Sequence, residues 1–210
     1  MSPPFALCPG CLDDLPRLPA TACPLCATPL GAPAPACGAC LKSPPAYDAT
    51  FAALRYGFPV DRLVQNLKFN HRLATAACFA DLLLSGAHPV GDVIVPVPLA
   101  PLRLRERGFN QALEIARPLA RSLRLPLDPT TLVRARETVP QSLLPWRARK
   151  GNRRHAFGCR GDFSGKAVIV VDDVMTTGTT LDAVARVLKD HGAVCVTNWV
   201  TARAVRESLT

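Results

Sequence analysis

The sequence predicts an α/β fold in which helices flank a parallel sheet, with a small cysteine-rich unit at the N-terminus. Strand patterns alternate with helix patterns along residues 47–210, and one strand pattern is apolar without interruption. Residues 1–46 differ from the rest in composition. The chain has 210 residues, enough for one sizeable core and an appendage. We therefore expect a main domain over 47–210 and a small domain over 1–46.

The elements of the main domain follow from periodicity and from turn residues. Strands are predicted where β-branched residues cluster, and helices where apolar residues recur every three or four positions. Pro96 and Pro98 should end the second strand, and Gly192 should cap the last helix. The predicted strands span 49–57, 91–99, 167–171 and 193–200, and the predicted helices span 59–69, 73–87, 110–123 and 181–192.

The N-terminal unit is predicted to bind zinc. Residues 1–46 hold eleven of the 21 prolines and six of the nine cysteines, and these six form three CxxC pairs. A CxxC turn presents two thiolates to a metal, and in a reducing cytoplasm metal binding is favoured over disulfides. One tetrahedral zinc site needs four thiolates. The preferred set is Cys23, Cys26, Cys37 and Cys40, and the alternative combines Cys8 and Cys11 with Cys23 and Cys26.

The stretch "AVIVVDDVMTTGTTL", residues 167–181, joins an apolar strand to two carboxylates and a threonine-rich loop. Ligands bind at the carboxyl ends of strands in an open parallel sheet, and a helix N-terminus favours a phosphate. Gly178 lets the backbone approach that phosphate, while Asp172 and Asp173 suit sugar hydroxyls or Mg²⁺. A Walker loop would need a lysine here, and a Rossmann fingerprint would need further glycines. The stretch therefore predicts a ribose 5-phosphate site.

The net charge of +9 is concentrated in one central segment. Residues 103–160 contain fourteen Lys and Arg against four Asp and Glu, whereas the rest of the chain contains eleven against twelve. Arginine binds oxyanions with two parallel hydrogen bonds, so this excess favours recognition of phosphate or nucleic acid. We expect residues 134–155 to contribute to binding single-stranded DNA. Neither a membrane span nor a secretory signal is visible, which predicts a cytoplasmic protein.

The threonine-rich stretch resembles the phosphoribosyl-diphosphate (PRPP) binding motif of type I phosphoribosyltransferases. The segments "LVQNLKFNHR", "PVPLAPLRLRERGFNQ" and "RARETVPQSLLPWRARKGNRRHAF", after the cysteine pairs, extend the likeness over the whole chain. The sequence is thereby similar to the ComF family of competence-related proteins, including its GntX-like members. This resemblance implies a zinc ribbon fused to a type I phosphoribosyltransferase-like parallel sheet. It also implies a role in natural transformation and DNA uptake, or in using DNA-derived nucleotides.

The resemblance also implies roles for individual residues. The aspartates would hold the ribose hydroxyls, the threonine loop the 5-phosphate, and two arginines would lie near the diphosphate loop after "VIVPVPL". A further segment, represented by Gln141, Arg147 and Asn152, would match the loop that closes over the site. The implied PRPP-binding residues are Asp172, Asp173, Val174, Met175, Thr176, Thr177, Gly178, Thr179 and Thr180, and the arginines are Arg103 and Arg107.

Two function classes follow from these observations. One is a phosphoribosyltransferase that uses PRPP with Mg²⁺ and transfers the phosphoribosyl group to an acceptor that the sequence does not identify. The other is a non-catalytic protein that handles single-stranded DNA and keeps the PRPP pocket as a sensor or relic. The sequence pattern identifies no side chain as a general base, so catalytic residues are not assigned.

Overall fold

Four parallel strands form the main sheet of the computed structural model, which describes residues 7–70, 72–134 and 156–205. The sheet order is β1-β6-β5-β2, and β3 and β4 form a separate antiparallel pair. All carboxyl ends of the main sheet therefore lie at one edge. The strands are β1 (Ala49–Arg55), β2 (Val93–Pro96), β3 (Leu132–Arg134), β4 (Phe157–Cys159), β5 (Ala167–Met175) and β6 (Cys195–Arg203).

Helices cover both faces of this sheet, as expected for a parallel sheet. Trp199 and Ile169 belong to one apolar cluster, which α3, α4 and α6 complete. Val170 and Val200 belong to a second cluster, to which α7 and the β3–β4 pair contribute. The helices are α1 (Pro9–Asp13), α2 (Gly38–Lys42), α3 (Val60–Phe69), α4 (Ala74–Leu84), α5 (Pro101–Arg107), α6 (Gln111–Leu123) and α7 (Thr179–Asp190).

The predicted fold class is confirmed, and the main differences lie at the ends of elements. Strand β5 continues four residues beyond the predicted end at Val171, because β6 pairs with it as far as Met175. Helix α7 begins at Thr179 rather than at 181. Helix α5 was not predicted, although Pro101 lies in its first turn and Gly108, with φ of 76°, ends it. Gly192 also has a positive φ, but it follows the helix cap His191.

The cysteine knuckle, residues 23–40, packs directly against the sheet domain. Cys23 and Cys40 are buried in the same apolar cluster as Val170 and Val200. The connection after the knuckle is fixed by two carboxylates: Asp182 accepts a hydrogen bond from the Ala46 N–H at 2.7 Å, and Asp48 accepts one from the Val196 N–H at 2.7 Å. Among the described residues, no helix is long and apolar enough to span a membrane.

Candidate phosphate site and metal centre

The two carboxylates lie where β5 extends past its neighbour β2. Strand β2 ends at Pro96, which is opposite Val171, and the Val97 N–H makes a last hydrogen bond to the Val171 carbonyl at 2.9 Å. Beyond this point β5 pairs only with β6 on its other side. Asp172 and Asp173 therefore stand at the open carboxyl edge of the sheet, which is the ligand-binding position of this architecture.

Asp173 is held by side chains from two helices. It is 4% exposed, and its Oδ2 forms an ion pair with the Lys68 ammonium at the end of α3. The Gln111 amide at the start of α6 donates to its Oδ1 at 3.4 Å, and the Gln111 oxygen accepts a bond from Arg107 at 2.6 Å. The Asp173 carboxylate is thus neutralised by protein groups and fixed in orientation.

Asp172 has a different environment. Its side chain is half-buried, and its Oδ1 accepts a hydrogen bond from the Asp173 N–H at 2.9 Å. Burial raises the pKa of Asp172 well above its ordinary value, and the neighbouring Asp173 carboxylate raises it further. Among the described residues Asp172 has no ion pair. It is therefore the carboxylate of this pair that is available to a ligand.

The threonine loop joins β5 to the N-terminus of α7. Thr176, Thr177 and Thr180 are exposed, and the Thr177 and Thr179 hydroxyls lie 2.8 Å apart. Gly178 is the N-cap of this twelve-residue helix and has φ of 78°. The first N–H groups of a helix have no intrahelical acceptor and, with the helix dipole, they favour an anion. A helix N-terminus with threonine hydroxyls beside it is chemically suited to binding a phosphate.

Gly178 should not tolerate a side chain. A Cβ at this position would lie 2.7 Å from the Met175 methyl carbon and 2.9 Å from the Tyr47 hydroxyl. A left-handed φ adds about 1–2 kcal/mol for any residue with a Cβ. We expect Gly178→Ala to lower the free energy of unfolding in urea by at least about 1–2 kcal/mol. The matched control is Gly10→Ala, since a Cβ at Gly10 meets nothing within 4 Å.

Several cationic side chains lie near Asp173 at the carboxyl edge of the sheet. Lys68, Arg103 and Arg107, together with Phe69 and the acidic Glu106, line a pocket of about 510 Å³, and Lys68 also pairs with Asp173. The Arg107 guanidinium lies 5.6 Å from the centre of the Phe69 ring. Burial lowers the pKa of Arg107, the Asp173 carboxylate opposes that effect, and the charge of Arg103 lowers the pKa again. Burial and then Arg103 also lower the pKa of Arg134. An anion of high charge would relieve this mutual repulsion.

The structure gathers the preferred cysteine set into one cluster. The Sγ atoms of Cys23, Cys26, Cys37 and Cys40 all lie within 4.8 Å of one another, and those of Cys26 and Cys37 are 3.6 Å apart. Zn–S bonds of about 2.3 Å in a tetrahedron place sulfur atoms about 3.8 Å apart. The residues present therefore fit a structural zinc ion with four thiolate ligands.

Hydrogen bonds around the cluster also suit thiolate ligands. The Cys37 N–H donates to the Cys23 sulfur at 3.2 Å. Burial raises the pKa of the Cys26 thiol, but hydrogen bonding with Thr28, Cys40 and Cys37 outweighs it and brings that pKa to about 7. Burial, followed by hydrogen bonding with Cys26 and Cys37, raises the pKa of the Cys40 thiol, so Cys26 is the sulfur that loses its proton more readily of these two.

The remaining predicted residues lie elsewhere. Cys8 and Cys11 are exposed at helix α1, outside the four-cysteine cluster. Arg103 and Arg107 lie on helix α5 rather than in a loop. Val174 is partly buried and Met175 is buried, so both side chains pack in the apolar interior at the end of β5. Gln141, Arg147 and Asn152, with the remainder of 135–155, lie outside the described residues.

Three residues of the site were not singled out from the sequence. Lys68 and Gln111 lie in predicted helices, and only the packing of α3 and α6 against β5 brings them to Asp173. Arg203 lies beyond the predicted end of β6, and its guanidinium contacts both the knuckle and the threonine loop. Lys68 and Gln111 lie within two segments that carry the family resemblance, which is the signal that pointed to them.

Comparison with known proteins gives concordant results. Residues 110–207 match the family model described as phosphoribosyl transferase domain. The chain is 38% identical to DNA utilization protein YhgH of Salmonella typhi over 191 residues, covering 87% of this chain and 84% of that protein. It is 31% identical to Competence protein F of Haemophilus influenzae, covering 94% and 90%. Competence protein ComFC of Bacillus subtilis is 34% identical over 105 residues, covering 48% and 39%. With its parallel sheet, carboxylate edge and four-cysteine cluster, the chain belongs to the ComF family of phosphoribosyltransferase-like proteins.

Proposed function

We propose that this protein binds PRPP with Mg²⁺ at the carboxyl edge of the sheet and acts as a cytoplasmic phosphoribosyltransferase. The observation that carries the proposal is one continuous arrangement at that edge. Asp172, the available carboxylate, stands on the strand that leads into the threonine loop at a helix N-terminus. The adjacent Asp173 pairs with Lys68, which with Arg103 and Arg107 lines a pocket. These three surroundings match the three parts of PRPP, which are a ribose, a 5-phosphate and a diphosphate.

Each part of PRPP has a natural position in this arrangement. The 5-phosphate would accept hydrogen bonds from the backbone and hydroxyls of residues 176–180. Asp172 would accept hydrogen bonds from the ribose hydroxyls, while Asp173 is paired with Lys68. The diphosphate would lie toward Arg103 and Arg107 in the 510 Å³ pocket.

The chemistry that this binding mode serves is a displacement at C1 of the ribose. The bond from C1 to the diphosphate oxygen breaks with the electron pair leaving on the diphosphate, and a nucleophile of the acceptor forms the new bond. Arginines near the leaving group stabilise the charge that develops on it. Mg²⁺ bound with PRPP would supply further charge neutralisation.

PRPP with Mg²⁺ is expected to raise the melting temperature of the wild-type chain, because a ligand that binds only the folded state stabilises it. Asp172→Asn should weaken PRPP binding about 10- to 100-fold, since hydrogen bonds to a charged group contribute about 1.5–3 kcal/mol. Its zinc content should not change. A wild-type melting temperature that is indifferent to millimolar PRPP would contradict the proposal.

Asp172→Asn should also stabilise the unliganded protein near neutral pH. The pKa of Asp172 is raised in the folded chain, so between its unfolded and folded pKa values the native state holds the extra proton and loses stability as pH rises. Asparagine removes that cost at pH 7.5 and gives little benefit below the unfolded pKa of about 3.9. Urea unfolding of both proteins at pH 7.5 and at pH 3.5 measures the difference.

A role in competence or in the use of DNA is the biological setting that we propose. Relatives of this chain carry the names DNA utilization protein and Competence protein F. The cationic excess of residues 103–160 supports contact with nucleic acid, and it is the observation behind the alternative of a non-catalytic protein that handles single-stranded DNA. Release of pyrophosphate from PRPP, with and without candidate bases, separates the enzyme from this alternative.

A further inference from the structure

Arg203 is a buried cation that joins the knuckle to the threonine loop. Its side chain lies at the end of β6, and the residue is 8% exposed. Its Nε donates to the Cys26 carbonyl at 2.7 Å, and its Nη2 donates to the Thr28 hydroxyl at 3.1 Å. Its Nη1 donates to the carbonyls of Met175 and Thr176, and also to that of Ala204. The ion pairs found among the described residues do not include Arg203.

These hydrogen bonds of Arg203 depend on the planar shape of the guanidinium group. Arginine carries five N–H donors in one rigid fork, so a single side chain can hold two backbone segments in one relative position. One segment here is the knuckle backbone at and just after Cys26, and the other is the backbone that enters the phosphate loop. Displacement of the Cys26 carbonyl would therefore leave buried donors unpaired, which costs free energy.

A second contact joins the same two regions. Gly178 approaches Tyr47 so closely that a Cβ would lie 2.9 Å from the tyrosine hydroxyl, and Tyr47 is buried beside the cysteines. Elsewhere a cavity of about 440 Å³, lined by Thr177 and Asp182 among others, separates the knuckle from the loop. Among the described residues, Arg203 donates hydrogen bonds both to the knuckle, at Cys26 and Thr28, and to the backbone that enters the threonine loop, at Met175 and Thr176.

We infer that Arg203 is a positioning residue that makes the conformation of the phosphate loop depend on metal bound to the four cysteines. With the four sulfurs held by the metal, the Cys26 carbonyl is fixed, and Arg203 holds the Met175 and Thr176 carbonyls in register with it. Without the metal, this restraint on the loop is lost. An effect of the metal on PRPP binding rests on the proposed PRPP site. The dependence of the loop conformation on the metal does not require PRPP.

Hydrogen–deuterium exchange tests the structural claim without PRPP. Removal of zinc from the wild-type protein by a chelator should increase amide exchange in a peptide covering residues 176–181, while a peptide from α4 keeps its protection. Arg203→Lys should show faster loop exchange with zinc still bound. Loop exchange that is the same with and without zinc, in a protein whose α4 remains protected, would overturn the inference.

Zinc release adds a second arm that involves PRPP. If the two sites are coupled, PRPP with Mg²⁺ must slow zinc transfer to a chromogenic chelator, because linkage is reciprocal, and typical couplings are about 5- to 150-fold. The matched control is Lys189→Met, which breaks the Lys189–Asp48 ion pair of 2.7 Å between α7 and the linker without touching the loop. It should retain the PRPP effect, whereas Arg203→Lys should lose it.

The two arms separate the inference from the proposed function. Zinc-dependent loop exchange together with no response to PRPP would support the coupling and refute PRPP binding. A PRPP-induced rise in melting temperature without any effect on zinc release or loop exchange would support PRPP binding and refute the coupling.

Discussion

Loss of the four-cysteine site is expected to have the largest effect of any small change in this protein. In Cys23→Ser/Cys37→Ser the metal should be absent and the knuckle should unfold, because binding of a structural zinc contributes on the order of 10 kcal/mol to folding. Cys23 is 1% exposed and lies in the apolar cluster of the sheet, so its loss also disturbs that core. Metal analysis of protein purified without added zinc, followed by thermal unfolding, measures both effects.

The exposed cysteine pair provides a control of equal chemistry. Cys8→Ser/Cys11→Ser removes the same number of thiols from helix α1, outside the cluster. This variant should retain one zinc per chain and the melting temperature of the wild type. Full zinc content in Cys23→Ser/Cys37→Ser, or loss of zinc from the control variant, would contradict the assignment of the four ligands.

Lys68→Met is expected to have the second-largest effect. It leaves the Asp173 carboxylate, which is 4% exposed, with Gln111 as its remaining side-chain partner among the described residues. Removing one partner of a buried ion pair costs about 3–5 kcal/mol, and the 24% exposure of the Lys68 side chain reduces this to about 2–4 kcal/mol. Urea unfolding at pH 7.5 gives the value.

Two further variants show whether the buried charge is the cause. Lys68→Met/Asp173→Asn removes both charges and should recover most of the lost stability, because no carboxylate is then left unpaired. Lys189→Met breaks an ion pair whose side chains are 32% and 41% exposed, and it should cost less than about 1 kcal/mol. Equal losses for Lys68→Met and Lys189→Met would show that the burial of Asp173 has no energetic consequence.

Features of this protein that depend on local pattern could be predicted from its sequence. The order of strands and helices follows from periodicity, and the three candidate cysteine pairs follow from CxxC spacing, because both are set by residues close together in the chain. The position of the threonine loop at a helix N-terminus follows in the same way. The CxxC spacing left two sets of four cysteines open, and only the fold brings Cys23, Cys26, Cys37 and Cys40 together.

Features that depend on distant packing could not be predicted. The pattern treats Asp172 and Asp173 alike, but successive residues of a strand point to opposite faces, and only one of them meets Lys68. Cys26 and Arg203 are 177 positions apart in the sequence. Arg203 can contact the knuckle only because the knuckle folds back against β6. The end of β5 was predicted too early, at Val171, because carboxylates usually end a buried strand. In the structure β6 continues to pair with β5 as far as Met175.

The strand order also has a consequence for how the chain is made. Strand β1 pairs only with β6 among the described strands, in the register Ala49 to Thr197, so β1 leaves the ribosome long before its neighbour exists. The four clustered cysteines are all synthesised by residue 40, so a metal bound by them would be in place first. Until β6 arrives, β1 presents an unpaired edge of the kind that promotes aggregation. The chain therefore exposes this edge until its last strand is made, and the burial of Trp199 in the core marks the completion of the sheet.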